Sequence, residues 1–138
     1  VERLLAENNQ LALPAGRFDA VLMTNVYHDI YFIDDKAGWP RIDGPKLMAE
    51  VFASLKPGGV LGVTDHAAVP GSPPETGGTL HRIDPALVKQ DFARAGFAFD
   101  GESKGLTHQE DDHTKLVFDE SIRGKTDQFI YRFRKPIP

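Results

Sequence analysis

The chain reads as an α/β protein: a half-sheet of three parallel strands and one antiparallel C-terminal strand, with flanking helices. Three observations predict this. Short, nearly continuous apolar runs at residues 18–24 and 60–64 suit strands covered on both faces. The amphipathic segment between them stops at Lys56-Pro57-Gly58-Gly59, as a crossover helix of a parallel sheet does before its next strand. Residues 128–134 alternate Phe129, Tyr131 and Phe133 with Ile130, Arg132 and Arg134, the period of a strand buried on one face.

Each element follows from local signals. Glu2-Arg3-Leu4-Leu5-Ala6-Glu7 is a candidate helical turn, and the first strand begins at Phe18. Residues 34–45, with Gly38, Pro40, Gly44 and Pro45, read as a loop. Asp43 is a plausible N-cap, Pro45 suits a first helical turn, and Leu47, Met48, Val51, Phe52 and Leu55 share one helical face. The second strand, 60–64, ends at Asp65-His66. A Pro- and Gly-rich loop spans 67–83. Asp84-Pro85 starts a second helix by the same cap logic, with Leu87, Val88, Phe92 and Ala95 on its apolar face and Gly96 as its stop. A third strand is expected at about 97–103, forming a terminal antiparallel hairpin with the last.

At 138 residues the chain is long enough for one domain, 1–138, and too short for two ordinary ones. A net charge of −4 argues against phosphate neutralisation, so no nucleic-acid partner is expected. With no cysteine, disulfides and sulfur-built zinc sites are excluded. No apolar run approaches the ~20 residues needed to span a bilayer, and no membrane partner is expected. The chain begins at Val1 rather than methionine, so its compartment stays open: cytoplasmic, or periplasmic if upstream sequence carries a signal peptide.

Phe18-Asp19-Ala20-Val21-Leu22, Leu55-Lys56-Pro57-Gly58-Gly59-Val60-Leu61 and Ala95-Gly96-Phe97 resemble the fourth, fifth and sixth strands of class I, Rossmann-like, S-adenosylmethionine-dependent methyltransferases. Asn25-Val26-Tyr27-His28-Asp29, Asp65-His66, Leu80-His81-Arg82-Ile83-Asp84 and Asp111-Asp112-His113 resemble, more narrowly, bacterial predicted methyltransferases of unknown substrate. The resemblance implies a partial Rossmann-like sheet with S-adenosylmethionine as cofactor. It also implies that the N-terminal glycine-loop half is missing, for no Gly-x-Gly-x-Gly stands ahead of Phe18. In related methyltransferases the residues after this strand border the cofactor's methionine end, which makes Thr24, Asn25 and Val26 the cofactor candidates.

In open α/β sheets ligands sit beyond the carboxyl ends of the strands. Tyr27, His28 and Asp29 hold that position on the first strand, and Asp65 and His66 on the second. His28 or His66 is a candidate general base for methyl transfer, with a neighbouring carboxylate such as Asp29 or Asp65 to orient the ring. The plainer alternative is that Asp29 and Asp65 cap loops while the histidines fill the cleft floor. Tyr27, Asp65, His81 and Arg82 are candidate substrate contacts, Arg82 because its fork suits a carboxylate or phosphate; a surface salt bridge is the competing reading. Asp84 is expected to be an N-cap alone. Asp111, Asp112 and His113 lack strong ligand spacing and read as a solvated loop, so no metal is expected. Tyr31 and Trp39 form either an aromatic lid or the packing of their own loop.

The resulting expectation is a methyltransferase acting on a small molecule, truncated and binding cofactor poorly alone. The alternatives are a non-catalytic association module and, less favoured, a metal-dependent hydrolase using the His/Asp pairs. Without the missing half, the strand near 18–24 leaves an open apolar edge, and such edges recruit partners. A homodimer through that strand is expected.

Overall fold

The computed structural model describes residues 3–138. Four strands, β1 (Phe18–Thr24), β2 (Leu55–His66), β3 (Ala98–Ser103) and β4 (Gln128–Arg134), form one sheet in the order β1-β2-β4-β3. β1 and β2 are parallel, and β4 runs antiparallel to both β2 and β3. Three strands therefore point one way and one the other, as expected. The last strand does more than close a hairpin on β3: it is inserted between β2 and β3. Its alternating pattern explains why it tolerates an interior position. Phe129, Tyr131 and Phe133 are buried on one face, while Arg132 is exposed on the other.

Helix α1 (Gly44–Ser54) crosses from β1 to β2, and α3 (Pro85–Arg94) leads into β3. Both start as their sequences predict. The Asp43 carboxylate accepts a hydrogen bond from Lys46 N at 3.0 Å, and Asp84 accepts one from Ala86 N at 2.8 Å. These bonds satisfy amides that the first helical turn leaves free. Met48 and Val51 of α1 and Val88 and Phe92 of α3 pack with Leu61, Val63, Tyr131 and Phe133 into one core.

The glycine stop is subtler than the sequence reading. Phe18 pairs with Leu55, but Ala20 pairs with Val60, so residues 56–59 bulge from the strand instead of forming a loop ahead of it. Gly58 takes φ of +77°, and a Cβ on Gly59 would lie 2.8 Å from the Lys56 carbonyl. Only glycine fits both demands, a left-handed backbone and a close approach.

Several local expectations are corrected. Val1 and Glu2 lie outside the described residues, and residues 3–7 form no helix. The 67–83 loop contains a short helix, α2 (Thr76–Leu80). A Cβ on Gly77 would come within 2.5 Å of the His28 carbonyl, so this glycine lets α2 lie directly against the 3-10 turn His28–Tyr31. Asp111 is not solvated: it is buried, ion-paired with Arg82. β1 is covered on one face only. Met23 is buried, whereas Ala20, Leu22 and Thr24 are exposed, and the outer edge of β1 has no strand partner among the described residues.

Candidate active site

Two parallel strands end side by side, tied by a hydrogen bond from Asn25 N to the Thr64 carbonyl at 2.8 Å. Beyond β1, Asn25 adopts a left-handed conformation with φ of 51° and turns the chain into the His28–Tyr31 turn. Beyond β2 comes Asp65, with no exposed surface. Its carboxylate gathers three donors: His28 Nδ1 at 2.7 Å, His28 N at 2.9 Å and His66 N at 2.7 Å. An ionised carboxylate only accepts, so Nδ1 of His28 carries the proton. In the neutral ring the lone pair then lies on Nε2.

That Nε2 faces Asp29 Oδ1 at 3.3 Å and His81 Nδ1 at 3.1 Å. Burial disfavours charge on His28, but the hydrogen bond and charge of Asp65, with the charge of Asp29, outweigh it and raise its pKa. His81 is shifted the other way, lowered by burial and by His28. His81 reaches the site from the end of α2 in a left-handed conformation, φ of 53°, uncommon for a residue with a side chain. Phe32 and Phe118 flank it, with ring centroids 5.6 and 5.1 Å away. His66 lies at the rim, its ring 6.1 Å from that of His28 and its Nδ1 2.8 Å from Thr126 Oγ1. Burial, with His28 adding, lowers its pKa.

Six of the ten candidate site residues thus meet or border one another: His28, Asp29, Asp65, His66 and His81, with Asn25 behind them. Thr24 and Val26 are exposed at the end of β1. The Asn25 side-chain oxygen is buried without a hydrogen-bond partner, as is the Thr64 hydroxyl.

Tyr27 and Arg82 are corrections, since both turn away from the cleft. The Tyr27 ring is fully buried against Phe92, and its hydroxyl donates to Asp91 Oδ2 at 2.6 Å. Burial, then Asp91, raises the Tyr27 pKa, and the same pair of causes pushes Tyr31, also bonded to Asp91, up to about 12. The Arg82 fork is taken by Asp111, with both nitrogens at 2.9 Å, and by the carbonyls of Lys115 and Ala67. Both side chains are buried, and their polar atoms are held by partners within the chain. Of the loop aromatics, Trp39 packs edge-on to Phe32, while Tyr31 is held by Asp91.

Sequence reasoning missed Phe32, Phe118 and Thr126, which meet the histidines only through folding. Asp91 was equally silent, a polar residue on a helix otherwise read for its apolar face.

No protein-family model matches the chain, and a search of curated proteins finds no match. Solved structures do match. A Methanosarcina mazei S-adenosylmethionine-dependent methyltransferase superposes with a TM-score of 0.60 at 16% identity, over 96% of this chain and 66% of that one. One from Aquifex aeolicus gives 0.60 at 18% identity, over 97% of this chain and 54% of the other. The [4+2]-cyclase SpnF gives 0.61 at 17% identity, over 96% and 55%. The chain therefore spans between about half and two thirds of the length of these proteins. They favour neither the association-module reading nor the hydrolase. The fold of this chain is that of the S-adenosylmethionine-dependent class I methyltransferases.

Proposed function

We propose that the chain is the acceptor-side part of an S-adenosylmethionine-dependent methyltransferase that acts on a small molecule. The observation that carries this reading is the His28–Asp65 pair, 2.7 Å apart, at the carboxyl ends of two parallel strands of a methyltransferase fold, where open α/β sheets hold ligands. Asp65 fixes the His28 ring, which makes His28 the group best placed to activate an acceptor. His66 stands at the rim as a second imidazole, its pKa lowered chiefly by burial. When bound, the cofactor supplies the methyl group on its sulfonium.

The residues present fit one end of that cofactor. The unpartnered Asn25 oxygen is a buried acceptor awaiting a donor, which suits the ammonium of the methionine end. Thr24 and Val26, exposed on either side, would complete that contact. A glycine loop for the rest of the cofactor is absent from the 138 residues.

Calorimetric titration with S-adenosylhomocysteine, run beside native mass determination, tests the reading. Binding is expected from an oligomer, or from the chain combined with a glycine-loop half, and only weakly from a monomer. No binding in any of these forms would overturn it.

The open edge of β1 favours association with a second copy. Leu22 is 79% exposed there, stacked over Gly62, whose Cβ, if present, would lie 2.7 Å from the Leu22 side chain. Strand pairing across β1 would satisfy the free backbone groups, and a lysine at position 22 would oppose it, as charged side chains on edge strands do. Leu22→Lys is expected to move the sedimentation profile from dimer to monomer. A wild-type chain that stays monomeric at high concentration would rule the dimer out.

A further inference from the structure

We propose that His28, Asp29 and His81 form a binding site for a first-row divalent metal ion, with Asp65 as the carboxylate that orients the His28 ring. The three candidate ligand atoms, His28 Nε2, Asp29 Oδ1 and His81 Nδ1, are separated by 3.1, 3.3 and 3.8 Å. Zinc bonds to imidazole and carboxylate are about 2.0–2.1 Å, so tetrahedral ligand atoms lie about 3.4 Å apart. The observed triangle averages close to that edge. An ion about 2.1 Å from all three atoms would stand just off their plane, as it does above the face of a tetrahedron.

The ligand set is chemically coherent. Two imidazoles and one carboxylate suit zinc, iron or other first-row ions and would not suit magnesium or calcium, which prefer oxygen. Metal-bound histidines characteristically donate their other ring N–H to a carboxylate, which fixes tautomer and ring orientation. Asp65 does this to His28 at 2.7 Å while anchored by two backbone amides. His81, the partner ligand, is held in a left-handed conformation, the kind of local strain that collects at ligand clamps. The cluster is also accessible from one side. The His28 side chain is 6% exposed, but those of His81 and Asp29 are 22% and 28% exposed, so an ion held by three protein atoms keeps an open position toward solvent. That is the arrangement of a catalytic rather than a structural site. The open position would take an oxygen or nitrogen of the acceptor and lower its proton affinity. His28 would then activate the acceptor through the ion instead of as a free base.

The site stands on this chain's own geometry, so its test needs no cofactor. Chelator-stripped chain would be titrated with Zn²⁺ by calorimetry and with Co²⁺ by visible absorption. One equivalent of Zn²⁺ and the intense visible bands of tetrahedral Co²⁺ are expected. His81→Asn, which keeps a residue tolerant of the left-handed backbone, and Asp29→Asn should each weaken binding at least tenfold. Asp65→Asn should weaken it about 10–100-fold through ring orientation alone. His108→Gln, at an exposed histidine outside the cluster, should leave it unchanged. Circular dichroism of each variant separates lost ligation from lost folding. Stoichiometry far below one would overturn the proposal. So would binding that survives in His81→Asn, or binding that disappears only in His113→Asn, where His113 and Asp127 form a separate pair 2.9 Å apart. Failure here would leave S-adenosylhomocysteine binding, and with it the methyltransferase reading, untouched.

Discussion

Arg82→Leu is expected to lower the stability of the chain by about 3–5 kcal/mol, read from urea unfolding followed by circular dichroism. The guanidinium has no exposed surface, and Asp111 opposite it is 5% exposed. Removing the cation strands a buried carboxylate, and it also leaves the Lys115 and Ala67 carbonyls without their donor. The effect spreads because Asp111 is a hub. It also accepts from Asp127 N at 2.7 Å and His113 N at 3.1 Å, binding the long 104–127 segment to the end of the sheet. Replacing both partners, Arg82→Leu with Asp111→Leu, should cost less than the single change, since the uncompensated charge is gone. The pH dependence has a defined sign. Burial works to raise the Asp111 pKa, but hydrogen bonds from Arg82 and the two amides bring it below its ordinary value. A carboxyl with a depressed native pKa lends stability above the unfolded carboxylate range and loses it as pH falls through the native value. Wild type should therefore lose stability on acidification more steeply than the double variant.

His28→Asn is expected to reduce kcat for methyl transfer by about 10²–10⁴-fold in the assembly that binds S-adenosylmethionine, with the cofactor's dissociation constant nearly unchanged. The ring lies beyond the end of β1, next to the residues proposed to meet the cofactor, and its observed partners, Asp65, Asp29 and His81, are none of those residues. Asparagine can still donate to Asp65, so the buried carboxylate keeps a partner and the melting temperature should move by only a few degrees. The measurement is a kcat comparison at saturating cofactor. A variant with wild-type kcat would remove His28 from the chemistry.

Much of the fold was legible because its signals are local. The two Asp caps, the apolar face of each helix and the period-two pattern of β4 each lie within about a dozen consecutive residues, and each was found where expected. The insertion of β4 between β2 and β3 was not legible. Alternation tells which face of a strand is buried but says nothing about which strands flank it. The candidate site divides along the same line. His28, Asp29, Asp65 and His66 follow directly from strand ends, so position alone located them. Tyr27 and Arg82 stand next to site residues in sequence yet face inward, because a 3-10 turn and a helix end send successive side chains in different directions. Their partners, Asp91 and Asp111, lie 64 and 29 residues away, beyond the reach of any spacing rule. The clearest overlooked signal was Gly77-Gly78 in a loop already rich in turn residues. It read as punctuation, and it permits the contact that brings His81 to the site.

The placement of β4 bears on how the chain is made. Among the described residues β3 is hydrogen-bonded to β4 alone, and β4 comes after it in the chain. Until β4 docks, β1, β2 and the two crossover helices can assemble, but β3 has nothing to pair with, and the exposed side of β2 stays unpaired. The nascent molecule must wait with an apolar gap beside β2, a state prone to capture by chaperones or by its own kind. Closing the gap then joins residues some 70 apart, between β2 and β4, a long loop to close before any reward. Refolding should accordingly be governed by the docking of β4 between β2 and β3.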